Sequence, residues 1–286
     1  MSGSRPDGRI RRSRRRFAAG EAGGAALGLV LVLAIAAPVL APYDPQQPVG
    51  GPVSPPDARF RLGTNALGQD LLSQVLYGAR TSVLVGVLVA GASTILSAAV
   101  GTAAGMWQQG RRLLLVLVDL FLAIPGIPVV VLLVVFAGPG FWPLVVAMVL
   151  IGWAGFARIV AAQVRVTMAQ AYVEAARAAG ATASCIVRSS VLPEIAPILA
   201  TKFLLTVRWA ILLEAALGLL GLGDPARPSW GLILHQAFAH PLLFVTDAWA
   251  WWAGPPAAAI VLTSLALMAV GQDLDAWLNP QAATVR

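Results

Sequence analysis

One cysteine (Cys185), one lysine (Lys202) and two histidines (His235 and His240) are all that 286 residues offer of three side chains common in catalytic and metal sites. A lone cysteine forms no internal disulfide and no multi-cysteine metal site. Lys202 follows Leu199-Ala200-Thr201, so the chain has no glycine-rich phosphate cradle of the G-x-x-x-x-G-K-[ST] kind. H-E-x-x-H and G-x-S-x-G are also missing. His235 and His240 stand five apart, off a common helical face and without a cysteine partner, and are read as loop histidines rather than zinc ligands. Charge is scarce as well. Asp, Glu, Lys and Arg make up 12% of the chain, about half the roughly 25% of a soluble domain.

Apolar residues fill that space: they are 58% of the chain, and the mean hydropathy is +0.78. Several runs of about 20 residues carry almost no charge, the length a bilayer core requires. This excludes a soluble enzyme and indicates a polytopic, all-α membrane protein. Six spans are expected, at about 24–42, 82–105, 113–137, 141–160, 197–220 and 253–272. Pro125 and Pro128 predict a kink in the third, whereas Pro255 and Pro256 fall in the first turn of the sixth, where a missing N–H is tolerated. Trp107, Phe141, Trp142, Trp249, Trp251 and Trp252 stand at span edges, as interfacial anchors do.

The net charge of +7 and pI near 10.9 would suit nucleic acid, but seven arginines lie within the first sixteen residues, ahead of the first span. They read as a cytoplasmic anchor, with no nucleic-acid role. Arg111, Arg112, Arg158, Arg165, Arg177, Arg188 and Arg286 fall on the same side, so both termini are expected in the cytoplasm. A twin-arginine export signal at Arg14-Arg15 with cleavage after Ala34-Ile35-Ala36 is the rival reading; the five spans that follow favour an uncleaved signal anchor.

The expected layout is a basic tail (1–23), a first span (24–42), an outer loop with an amphipathic segment (43–81), a five-helix core (82–272) and an inner tail (273–286). The proline-rich stretch 42–56 is expected to be an extended crossing, and 222–250 a second outer loop. Asp119, Arg208 and Glu214 lie inside spans, where an unpaired charge costs a few kcal/mol (~2.5–3.5). Arg208 and Glu214 are about 600° apart around one helix, so each needs a partner elsewhere. They either line a path or brace the bundle. Lys202 is expected to snorkel to the inner edge. Ser93, Ser97, Gly101 and Gly105, four apart, make a small-residue stripe suited to close helix packing. Intramembrane catalysis would require a nucleophile with its base, or a metal cluster, in the spans. Neither is present, and the chain is read as non-catalytic.

The inner segment at about 161–196 holds an alanine-rich helix, a glycine stop at Gly180, a second short helix opening near Thr182 and a proline stop at Pro193. Small side chains make this a docking element. Glu174-Ala175-Ala176, Gly180 and Leu192-Pro193 resemble the EAA loop of ABC importer permeases. Leu62-Gly63-Thr64-Asn65 through Asp70 to Ser73, with Tyr77-Gly78-Ala79-Arg80-Thr81-Ser82, is similar to a signature of the peptide/nickel branch. Glu214 to Gly223, then Pro228-Ser229-Trp230-Gly231, is similar to a third segment of that branch.

The resemblance implies the six-span type I ABC importer permease (MetI-like) fold in a bacterial inner membrane, as the C-type subunit of a pair. It implies a second homologous permease, two ATP-binding subunits that hold ATP and magnesium, an external solute-binding protein, lipid around the spans, and no cofactor on this chain. Glu174, Ala175, Ala176, Gly180, Ala181, Thr182, Ile186, Leu192 and Pro193 would couple to the ATPases. Peptide is the implied cargo, with nickel or another small solute as the alternative. An ion-coupled secondary transporter using Asp119 and Glu214 is a further rival, as is a membrane subunit without a path. Asn65, Gln69 and Gln74 stand where the branch has an acid and two arginines. Gly218 and Leu219 stand where it has Ser and Phe, a change expected to widen a constriction.

Overall fold

The computed structural model describes residues 7–278; Arg5 and Arg286, read above as inner-face charges, lie outside them. The described chain is helical, with two isolated β-bridges, Pro48 to Gln69 and Thr64 to Asp70. The helices are α1 (Asp7–Leu40), α2 (Leu71–Met106), α3 (Arg111–Ala123), α4 (Gly126–Ala137), α5 (Phe141–Gly152), α6 (Ala154–Met168), α7 (Ala171–Ala178), α8 (Ala183–Ile186), α9 (Leu192–Leu219), α10 (Trp230–Phe238) and α11 (Gly254–Leu278). Two π-helical turns, Val187–Val191 and Trp249–Ala253, lead into α9 and α11.

Five stretches are long and apolar enough to cross a bilayer: Gly20–Leu40, Leu71–Met106, Phe141–Met168, Ala183–Leu219 and Trp249–Trp277. The expected third span is instead two helices, α3 and α4, bent by 82°. It makes a sixth span only if the pair crosses as one. Pro125 is the cause: it holds Ile124 extended at φ −79°, ψ 129° and removes a helical donor.

The chain forms two compact units, one of residues up to Leu84 together with Ile211 onward, the other Val85–Ala210. In the first unit, α1 packs on α11, where a Cβ on Gly23 would lie 2.6 Å from that of Ala269. Leu71, Ile233, Ala237, Leu243, Ala248 and Trp252 form a buried core cluster in it. In the second, Trp153, Ala154 and Ala157 pack with Val118, and Phe121 meets Trp153 edge-on at 5.2 Å.

The small-residue stripe does what its spacing predicts. A Cβ on Gly101 or Gly105 would come within 2.6 Å of Val160 or Val164 Cβ, so α2 and α6 approach to backbone distance. The loop between α1 and α2 differs from expectation. Residues 42–56 fold back on 60–70 rather than cross extended, through Val49 and Gly50 N–H to the Gly68 carbonyl and Val53 N–H to Asn65. Helix α2 starts at Leu71, not near 82, because Asp70 caps it by accepting from Ser73 N–H (2.8 Å) and Ser73 Oγ (2.7 Å). The segment 222–250 also contains a helix, α10, opened by Ser229, whose Oγ accepts from Leu232 N–H. Trp107, Trp142 and Trp249 are exposed as anchors should be, but Phe141 and Trp252 are core residues.

Candidate coupling site and intramembrane charges

Helix α7 is too short to be stable alone and is shaped by its ends. Gly180 takes φ +85°, which lets Ala181 N–H reach the Ala176 carbonyl and Gly180 N–H the Arg177 carbonyl, the Schellman pair that closes a helix. Thr182 then caps α8, its Oγ1 accepting from Cys185 N–H. The result is a sharp elbow. Its inner side is held by Val173 and Ile186, buried with Val191 and Ile195 against Val160 and Val164 of α6.

Glu174, Ala175, Gly180, Thr182, Leu192 and Pro193 are exposed, while Ala176 and Ala181 are half-buried. Ile186 is 3% exposed and anchors the elbow rather than presenting a contact. Pro193 does not stop the chain as expected. The helix runs on past it from Ala183 to Leu219: in the π turn at Val187–Val191 the Leu192 N–H donates to the Val187 carbonyl, and this wider turn just before Pro193 accommodates the missing donor.

Each of the four charged residues singled out above, Asp119, Lys202, Arg208 and Glu214, is placed differently. Asp119 pairs with Arg158 across α3 and α6 (2.8 Å), both half in the open. Glu214 is 2% exposed and has two hydroxyl donors, Ser82 Oγ at 2.8 Å and the Ser229 side chain. Arg208 has a buried Nε without a hydrogen-bond partner among the described residues. Lys202 does not snorkel. It is fully buried, donating to the Gly152 carbonyl (3.2 Å) with its ammonium 4.4 Å from the centre of the Phe156 ring. The break between α5 and α6 explains this. It frees the Gly152 carbonyl inside the span for Lys202, while the Trp153 carbonyl, bonded by Ala157 N–H (3.2 Å), accepts a second bond from Ser97 Oγ (2.7 Å).

The sequence singled out Glu214 but not its setting. Ser82 comes from one motif stretch and Glu214 and Ser229 from the two parts of another, and they meet at one buried point next to Trp230, whose N–H donates to Ser82 Oγ (3.4 Å) and whose Nε1 donates to the Val75 carbonyl (3.1 Å). Gly218 adds no width there. A Cβ on it would lie 2.9 Å from the Gly231 backbone, so the missing side chain is taken up by α10. Asn65, Gln69 and Gln74 form a neutral replacement for charge pairing: Asn65 Nδ2 and Gln74 Nε2 both donate to Gln69 Oε1 at 2.7 Å, and Gln69 Nε2 donates to the Gln46 carbonyl. His235 Nδ1 lies 2.8 Å from the Leu219 carbonyl, and among the described residues no cluster of three or more His, Cys, Asp or Glu side chains could hold a metal ion.

A multi-span helical protein with an exposed helical elbow and a broken span is, as a class, an integral membrane protein. Comparison with known proteins narrows the class. Residues 94–283 match the family model described as binding-protein-dependent transport system inner membrane component. The chain is 35% identical over 262 residues to the di/tripeptide transport system permease protein DppC of Pseudomonas aeruginosa, covering 88% of this chain and 85% of that one. It is 34% identical over 272 residues to the dipeptide transport system permease protein DppC of Escherichia coli K12, covering 90% and 89%. A solved structure of the MetNI methionine ABC transporter, in inward-facing form, shares the fold at a TM-score of 0.53 and 20% identity, covering 72% of this chain and 96% of its counterpart. The chain belongs to the family of binding-protein-dependent transport system inner membrane components, and is a non-catalytic, multi-pass permease subunit.

Proposed function

We propose that the chain forms half of the translocation path of an ATP-driven importer of short peptides, and that its elbow, Ala171 to Ile186, receives the push of cytosolic ATPases. The partners are a second permease, two ATP-binding subunits carrying ATP and magnesium, and an external solute-binding protein. One observation carries the reading: α7 and α8 present an exposed, small-residue outer face while Val173 and Ile186 fasten the inner face to α6 and the root of α9. A force on such an elbow moves helices rather than bending a loop, and switching between packed arrangements is how transport helices change access.

Six crossings, with α3 and α4 counted as one, would leave both termini on one side, and the arginine-rich segments support the cytoplasm as that side, with the elbow. Glu174, Ala175, Ala176, Gly180, Ala181, Thr182, Leu192 and Pro193 form or frame the docking face, with Ile186 as its anchor. Asp119 and Glu214 brace the bundle, since each has a partner within this chain. Arg208 is the charge left for the path, a cation for the carboxylate of a passing peptide. Peptide as cargo follows the names of the relatives, which are di/tripeptide and dipeptide permeases.

Reconstituted with its partners, the Gly180→Pro and Glu174→Arg variants are expected to lose peptide uptake while the solute-binding protein keeps its affinity. The proline removes the donor to Arg177 and cannot adopt the positive φ; the arginine reverses the charge on the exposed face. Normal uptake by both variants would sink the coupling role. Uptake of nickel chelates but of no peptide would overturn the cargo.

A further inference from the structure

Three arginines of the second unit, Arg111, Arg158 and Arg165, converge on a pocket of about 110 Å³ floored by Ala104 and Ala161 and walled by Leu115. None of its lining residues is acidic. Asp119 faces the group from α3 but is engaged by Arg158. Arg111 is held by its Nε, which donates to the Ala104 carbonyl (3.3 Å), leaving the outer end of its guanidinium for another acceptor. Arg111 opens α3 and Arg165 sits in the last turn of α6, so the pocket lies at helix ends rather than mid-span.

Three guanidiniums line this one small pocket and a single carboxylate, Asp119, pairs with Arg158, so the group keeps a net positive charge and its arginines repel each other. An anion relieves that repulsion. The planar fork of arginine matches phosphate oxygens two at a time. Arg158 and Arg165 stand on a span-length stretch, Phe141–Met168, where their chain neighbours Ile159 and Val166 are 49% and 56% exposed, an apolar surface that a free inorganic ion would not use but acyl chains would.

We propose that this pocket binds an anionic phosphate group, and that a membrane phospholipid headgroup supplies it. Basic pockets between helices at the cytoplasmic edge are suited to such headgroups. The site rests on the cytoplasmic placement proposed above for these helix ends, but not on the importer's cargo.

The test uses the full-length protein in phosphatidylcholine nanodiscs, with phosphatidylglycerol titrated in and bound lipid read by native mass spectrometry. Phosphatidylglycerol is expected to be retained over phosphatidylcholine. The Arg111→Gln/Arg165→Gln double variant should weaken that retention roughly thirty-fold, from about 1 kcal/mol per arginine. Arg188→Gln, on the π turn before α9, should leave it unchanged. If the glutamine variant misfolds, Arg111→Lys/Arg165→Lys keeps the charge without the fork and is expected to retain phosphatidylglycerol at an intermediate level. Millimolar inorganic phosphate that binds and displaces the lipid would assign the pocket to a soluble anion and overturn the headgroup. Retention equal in the parent and in a folded variant, or no preference for the anionic lipid, would overturn the site altogether.

Discussion

Ser82 and Ser229 surround the Glu214 carboxyl with hydroxyl donors, and neither the Asp119–Arg158 nor the Asp224–Arg227 ion pair involves it. A group so placed is read by what replaces it. Glu214→Gln keeps oxygen and shape, and is expected to leave thermal stability within about 1 kcal/mol and uptake largely intact. Glu214→Leu strands two buried hydroxyls and should cost about 1–3 kcal/mol, measured as a lowered melting temperature in detergent. An ion-coupled role for Glu214 would show the reverse pattern, with the glutamine variant folded but inactive. The residue scale is also where the sequence misled most. Lys202 has a stem long enough to snorkel, and nothing local indicates that Gly152, fifty residues away, would present a bare carbonyl within the span.

The break at Gly152–Trp153 and the stripe on α2 belong to one element-scale arrangement: small residues bring α2 onto α6, and Ser97 then reaches the Trp153 carbonyl. Gly105→Ala is expected to destabilise by about 1–3 kcal/mol, because its Cβ would meet that of Val164. Val164→Gly should partly rescue it, giving a favourable coupling in a double-mutant cycle. Additive losses would mean that this contact does not set the helix separation. The bend at Pro125 and the stop at Gly180 were legible at this scale, since one residue's backbone chemistry dictates each. The π turns were not. A π turn depends on how the following helix must be rotated to pack, and Val187–Val191 has no local signature of it.

Orientation is a property of the whole molecule, and Cys185 offers a direct way to read it. It is the chain's single cysteine and is exposed beside Thr182 on the elbow. A membrane-impermeant maleimide is expected to label it in inside-out vesicles and not in right-side-out ones. Bound ATPase subunits should then slow the labelling severalfold. Labelling only from the outer face would reverse the topology and remove the elbow from the ATPases.

Composition alone determined that this protein lives in a membrane, because apolar runs of span length have no other stable place to go. Motif residues in the elbow and in the Glu214 segment determined its family. Tertiary structure decided which of those residues touch. Ser82 lies far along the chain from Glu214 and Ser229, and only packing brings the three to one buried point. The same holds for the opening at Gly218, closed by α10, and for Lys202, buried instead of snorkelling. Local chemistry sets where a helix breaks or bends. Which carbonyl or side chain must then be satisfied depends on the neighbour that the completed fold supplies.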